Sequence, residues 1–267
     1  EYSDILISEL KKEGINFHYP DKIKVLKRNK LGLSVELENG KVIQGSHLLV
    51  ATGRSPNITN LGLDKANVQY DQSGIIVSKS LRTSNKRIYA AGDVTKGMGG
   101  LTHAAGYHAG KLIQNFYFSP PFMGDFLAKA NTSSMPAVIY SEPEFASIGI
   151  TEDKAKELFS KVKCLTWDFD ENDRAISELS TLGGVKIIAN SNGKILGGSI
   201  LGEQAGEMMH LINMAMVNNI KISGLAKIIS PYPTRSEAVK RASSRFYAKI
   251  LFSSRTKKIA GFLSKFH

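Results

Sequence analysis

Arg87-Ile-Tyr-Ala-Ala-Gly-Asp-Val94, with Gly97-Met-Gly-Gly-Leu-Thr-His-Ala-Ala105 behind it, is the stretch around which the rest of the chain can be arranged. Ile88 to Ala91 is a short apolar run with the length and flanks of a buried strand. Gly92 removes a side chain where that strand ends, so another backbone or a ligand can come close. Asp93 then sets a carboxylate at the strand's C-terminal edge, the side on which open α/β sheets bind ligands. A carboxylate only accepts hydrogen bonds and can take two hydroxyl protons at once, which suits a polyol. Beyond the Gly97–Gly100 turn, Thr102 is placed to cap a helix whose apolar positions are Ala105, Ala109, Leu112, Ile113 and Phe116. A helix start offers unpaired N–H groups and a partial positive charge. Together these groups describe a site for a flavin, with ribitol on Asp93 and the pyrimidine edge at the helix start.

The composition sets bounds on this reading. The 267 residues are enough for one large or two ordinary domains with real cores. Hydrophobic content of 42% and charged content of 22% are ordinary for a soluble globular protein. No apolar run approaches the length of a membrane span and no signal peptide is visible, so a cytoplasmic protein is expected. The net charge of +11 raises nucleic acid as a partner, but no helix-turn-helix, RNP-like or zinc-finger pattern supports it. The single cysteine, Cys164, rules out an internal disulfide and reads as a strand residue. No metal-ligand spacing appears, and His210 has no partner cluster.

Along the chain, Ser3 to Lys12 reads as the end of a helix stopped by Gly14. Ile23–Lys27, Leu33–Leu37 and Lys41–Ile43 read as an antiparallel meander, with Asn39-Gly40 as a tight hairpin turn. His47 to Thr52 is a second buried-strand candidate, ending in Gly53. Arg54 suits either a cofactor phosphate or a salt bridge. His108 reads as a helix-surface residue. After Ser119-Pro-Pro121 the pattern becomes irregular, which places a domain boundary near residue 125.

The second half alternates strands (137–140, 145–150, 162–169, 184–189, 194–202) with helices. Thr151 caps one helix, 204–218 forms another, and Ser223 caps a short one. Met208, Met209, Met214 and Met216 suit a core or a dimer interface. The expected fold class is α+β with α/β remnants: an antiparallel sheet backed by helices, preceded by incomplete nucleotide-binding segments.

Ala51-Thr-Gly-Arg-Ser-Pro-Asn57, Ala90-Ala-Gly-Asp-Val94 and Leu101-Thr-His-Ala104 resemble, in order and spacing, the second half of the flavoprotein disulfide reductases. Glu142-Pro-Glu-Phe-Ala-Ser-Ile-Gly-Ile-Thr-Glu152, Asp173-Arg-Ala175 and Pro233-Thr-Arg-Ser-Glu237 resemble landmarks of that family's interface domain. The resemblance implies three segments: residues 1–45 ending a nicotinamide-binding domain, 46–125 closing an FAD domain, and 126–267 forming the dimerisation domain. It implies FAD contacts from Thr52, Gly53, Gly92, Asp93, Leu101, Thr102, His103 and Ala104. It also implies NAD or NADP as the second cofactor and a small-molecule or disulfide substrate.

In the family, both Gly-x-Gly-x-x-Gly motifs and the redox cysteine pair lie before the point where these residues begin. The expectation is therefore the C-terminal part of a longer enzyme, inactive in isolation. The alternative is a non-catalytic dimerisation module that inherits the fold.

The family commonly has His-Pro-Thr-x-x-Glu where this chain has Tyr232-Pro-Thr-Arg-Ser-Glu237. That His takes a proton from the substrate thiol at the partner subunit's flavin, and the Glu orients it. The resemblance thus marks Tyr232 and Glu237 as the catalytic positions. A phenol with a pKa of about 10 is a poor base near neutrality, which favours the mercuric-reductase-like branch over plain dihydrolipoamide dehydrogenase chemistry.

The tail places Ile259, Phe262, Leu263 and Phe266 on one helical face among lysines. This helix is expected to pack on protein in a homodimer, with membrane-surface contact as a minor role.

Overall fold

The computed structural model describes residues 1–29, 32–97, 100–120 and 128–266; for Asn29, Lys249 and Phe266 only the backbone is described. The chain divides into two units: residues 8–130, and residues 1–7 with 131 onward. The boundary expected near residue 125 lies outside the described residues.

Helix α1 (Tyr2–Lys12) buries Tyr2 and Leu6 and ends as Gly14 takes a positive φ. In the unit of residues 8–130, β1 (Ile23–Asn29), β2 (Gly32–Leu37) and β3 (Val42–Gly45) form an antiparallel sheet in that order. Asn39-Gly40 makes the expected tight turn: the N–H of Gly40 donates to the Leu37 carbonyl at 2.9 Å, and Gly40 has φ +84°. A residue without Cβ is what that backbone angle favours.

The two strands expected to be buried do not form. Residues 47–53 run as exposed coil, with Leu49 89% and Val50 70% exposed. No described strand pairs with them, and an apolar run becomes a buried strand only beside partners. Residues 88–91 keep a single bridge, Arg82 to Tyr89, although Ala90 is buried. Ala90 joins Leu63, Val68 and Ile75 in a small core beneath the hairpin of β4 (Tyr70–Asp71) and β5 (Gly74–Ile75).

Helix α2 (Thr102–Phe118) begins as expected but differently capped. Leu101 is the N-cap and Thr102 the first helical residue, with no side-chain cap. Its buried residues are Ala104, His108 and Asn115, whereas Ala105, Ala109, Ile113 and Phe116 are exposed. Tertiary contact, not the apolar period, selects this face. Asn115 clamps the Ala128 backbone, donating to its carbonyl at 2.9 Å and accepting from its N–H at 3.0 Å.

The second unit contains β6 (Ala137–Ile139), β7 (Glu144–Gly149), α3 (Glu152–Leu158), β8 (Val162–Asp168), α4 (Asp173–Ser177), β9 (Gly184–Asn190) and β10 (Ile195–Gly202). Its sheet runs β6-β7-β10-β9-β8, antiparallel throughout, with Ile200 of β10 between Ala146 of β7 and Val185 of β9. Helices α5 (Ala205–Val217), α6 (Ile222–Lys227) and α7 (Glu237–Ser244) follow, then the short α8 (Ala248–Leu251) and α9 (Ser254–Leu263).

Side chains alternate across a strand. Ile187 and Ile195 join the main core with α5 and α7, and Ile188 and Leu196 meet Ala155 of α3 in a separate cluster. With two clusters to fill, β9 and β10 are apolar almost throughout. Thr151 caps α3 as expected, accepting from the Lys154 N–H at 3.3 Å. Ser223 does not cap α6; Lys221 holds that position and Ser223 lies inside the helix. Met208 and Met209 are core, Met216 is half-buried and Met214 is exposed. Cys164 lies on β8, opposite Ile188; partial burial pushes its thiol up to about 11, with Glu152 adding to the effect.

Candidate functional site

Gly92, Asp93 and Val94 form one 3-10 turn packed on the start of α2. Gly92 has φ +72°, and a Cβ there would lie 2.8 Å from the Ala105 Cβ. The glycine therefore admits a helix, where the sequence left ligand or backbone open. The Gly92 carbonyl accepts from the N–H and the hydroxyl of Thr95 at 2.9 and 2.6 Å. The Gly92 N–H donates to Nδ1 of His108 at 3.0 Å.

His108, read from sequence as a surface residue, is 1% exposed. The 3.6 period puts it one turn after Ala104, on the packed face. Burial lowers its pKa, so the ring is neutral, and accepting at Nδ1 leaves the proton on Nε2. That Nε2 is buried without a hydrogen-bond partner among the described residues. His108 thus holds the turn that presents Asp93.

Asp93 is exposed, and among the described residues its carboxylate makes no ion pair or side-chain hydrogen bond. It lines an open cleft of ≈ 720 Å³ with Arg54, Asn57, Gln72, Gly97 and Gly100. An adjoining cleft of ≈ 640 Å³ is lined by Val50, Ala51, Gly53, Arg54 and Gly100. At Gly53, Gly97 and Gly100 an added Cβ would meet no atom within 4 Å, so backbone is open toward whatever enters. Lys96 pairs with Asp71 at the rim and, with Ser73, holds that carboxyl down to about 2.

Of the positions expected on α2, Leu101 is half-buried and Thr102 and His103 are exposed at the helix start. Ala104 is fully buried, and its N–H is taken by the Leu101 carbonyl at 2.9 Å. Thr52 is exposed beside Gly53. This donor set suits a flavin's polyol and pyrimidine: a carboxylate acceptor, a guanidinium, open glycine backbone and a seventeen-residue helix start.

The second candidate group lies in the unit of residues 131 onward. The Tyr232 hydroxyl donates to the Asp173 carboxylate at 2.8 Å, and Tyr232 is 70% exposed. That hydrogen bond and the negative charge of Asp173 push the phenol above its ordinary range. Glu237 opens α7 and accepts instead from Arg241, at 2.9 Å from Nε and 2.8 Å from Nη2. The expected orienting acid is therefore held within its own helix, and Asp173 is the residue on the Tyr232 hydroxyl.

Two further residues hold this loop. Asn172 caps α4 and donates to the Thr234 carbonyl at 3.1 Å. Arg235, only 4% exposed, donates to Glu178, Glu203 and the Ser180 carbonyl at 2.8, 3.0 and 3.1 Å. A buried guanidinium is expected to be paired, but its partners, 32 to 57 residues away, are invisible to sequence spacing. Among the described residues no cluster could hold a metal ion.

Comparison with known proteins gives these arrangements a context. Residues 135–243 match the pyridine nucleotide-disulphide oxidoreductase dimerisation domain, and residues 1–109 match the pyridine nucleotide-disulphide oxidoreductase model. A mercuric reductase of Staphylococcus aureus is 32% identical over 251 residues, covering 92% of this chain and 45% of that protein. A dihydrolipoyl dehydrogenase of Bacillus subtilis is 30% identical over 249 residues, covering 91% of this chain and 51% of that protein.

The chain thus spans about half the length of the curated relatives it matches. In structure it is similar to LpdA from Mycobacterium tuberculosis, with TM-score 0.82 and 23% identity over 91% of this chain and 52% of that one. Members of the matched family use FAD and NAD(P)H. With both family models matched in order and the dimerisation domain's α+β architecture in place, the chain belongs to the pyridine nucleotide-disulphide oxidoreductases.

Proposed function

We propose that this chain supplies the C-terminal part of an FAD-dependent, NAD(P)H-using disulfide oxidoreductase. Residues 1–45 would end the nicotinamide domain, 46–125 close the flavin domain, and 126–267 form the dimerisation domain. The observation that carries the reading is the Gly92–Asp93 turn, seated on α2 by His108 and presenting Asp93 to an open cleft. When bound, the flavin supplies electron transfer between nicotinamide and the disulfide-level acceptor.

The chain's own residues bind and orient. Asp93 accepts the ribitol hydroxyls; Thr52 and Gly53 line the approach with Arg54. Leu101, Thr102, His103 and Ala104 present the start of α2 to the pyrimidine edge. Tyr232 and Glu237 belong to the half-site that each subunit of a homodimer offers its partner. The Tyr232 hydroxyl keeps its one proton, given to Asp173 in this structure, so it is not a base; turned from that carboxylate, the same O–H would donate to a thiolate. The mercuric-reductase-like branch remains the favoured one, with a small-molecule or disulfide-level acceptor as substrate in the cytoplasm.

The test is the flavin content of the intact enzyme. Asp93→Ala removes a charge-assisted acceptor, a loss of about 1.5–3 kcal/mol, or roughly 10- to 150-fold in FAD affinity. Unchanged flavin occupancy in that variant would overturn the assignment of Asp93.

A further inference from the structure

We propose that α8 and α9 form a docking surface for an anionic lipid bilayer, lying on it without crossing it. The charge of this segment is one-sided. In residues 248–267, positions 249, 255, 257, 258 and 265 are Lys or Arg, and none is Asp or Glu. The segment therefore carries +5 of the chain's +11. Its apolar side chains face water: Ile250, Leu251, Phe252, Ile259, Phe262 and Leu263 are 51–75% exposed. Helix α9 buries none of its residues.

The helix pair is nevertheless built. Ser253 caps α9, accepting from the Thr256 N–H at 3.2 Å, and the Thr256 hydroxyl donates to the Ile250 carbonyl at 2.6 Å. Ile259, Phe262 and Leu263 stand at i, i+3 and i+4, one face of α9, with Lys258 one turn before Phe262.

The occupant follows from charge. A two-fold contact through α9 would set these cations against their own copies, with no acid in the segment to neutralise them. A nucleic acid would take the charges and leave the phenylalanine and leucine side chains in water. An anionic leaflet takes both: apolar side chains enter the acyl boundary, and lysine stems reach back to the headgroups. No helix among the described residues is long and apolar enough to cross a membrane, so attachment is to the surface. This surface does not depend on the oxidoreductase reading.

Co-sedimentation of the chain with phosphatidylglycerol–phosphatidylcholine and with pure phosphatidylcholine vesicles tests the proposal. Binding is expected to the anionic vesicles, weakening as salt is raised. Each Lys or Arg near an anionic surface strengthens binding about fivefold, so Lys257→Glu with Lys258→Glu should weaken it by at least about 25-fold. Ile259→Ser with Phe262→Ser should weaken it with the charge unchanged.

Equal binding to neutral vesicles, or anionic-vesicle binding that neither double variant weakens, would overturn the proposal. So would a lowered melting midpoint in the serine variant, which would mean that α9 packs on protein. A halved particle mass by light scattering in that variant would assign the face to a second copy and overturn it equally.

Discussion

Tyr232 shows how one hydrogen bond sets what a side chain can do. An anion that accepts a phenol's proton favours the protonated form, so Asp173 raises the Tyr232 pKa. Near neutrality the group donates and does not take protons. Labelled-tyrosine NMR can follow this residue, identified by the signal lost in Tyr232→Phe. In the native chain it should ionise above the ordinary value of about 10. Asp173→Asn should bring that midpoint back down; a midpoint unmoved in the asparagine variant would remove Asp173 as the cause. The family resemblance marked Tyr232 as the position in question, because the residue departs from the motif that the family commonly has there. It could not identify Asp173 as the partner, 59 residues away. His108 was misread for a related reason: the apolar period pointed to the neighbouring face of α2, while Gly92 drew the Ala104–His108 face inward.

Between elements, Glu152 ties the start of α3 to β9. Its carboxylate meets Lys156 at 2.6 Å and Lys186 at 2.5 Å, and the hydrogen bonds to these lysines hold its pKa down to about 2, from 4.5. A pKa depressed by folding contributes stability above the ordinary carboxylate value. That contribution is lost as pH falls from about 4.5 toward 2. Allowing for solvent screening of a partly exposed group, it amounts to about 1–2 kcal/mol at neutral pH. Glu152→Gln should lower urea stability by about that amount at neutral pH, and the difference from the native chain should shrink near about pH 3. A constant difference at both pH values would rule out the ion-pair origin.

The elements also differ in how legible they were. The Asn-Gly hairpin at 39–40 was readable because a turn is decided by the few residues that make it. The strands at 47–52 and 88–91 were not, because burial of a strand depends on neighbours that a local pattern does not contain. The caps at Thr102 and Ser223 missed by one and two residues: Leu101 and Lys221 hold those positions, shifts within the ordinary uncertainty of helix ends.

At the scale of the whole chain, the two units have cores of very different size. From residue 131 onward, β9, β10, α5 and α7 share one large apolar cluster in which Ile187, Ile200, Ile212 and Val239 are fully buried. In residues 8–130 the described cluster is Leu63, Val68, Ile75 and Ala90, and the apolar side chains at 48–50 and 116–118 lie exposed. Burial of apolar surface is the main force holding a fold, so the units should open separately. Hydrogen exchange followed by mass spectrometry would show this. Amides of β9 and β10 should exchange only through opening of the large core, at least about a thousandfold more slowly than those of residues 47–53, a gap of roughly 4 kcal/mol. The large core should persist in urea concentrations that already release protection in α2. If protection were instead lost at one urea concentration along the entire chain, the smaller unit would be drawing its stability from more than its own core, and separate opening would be refuted.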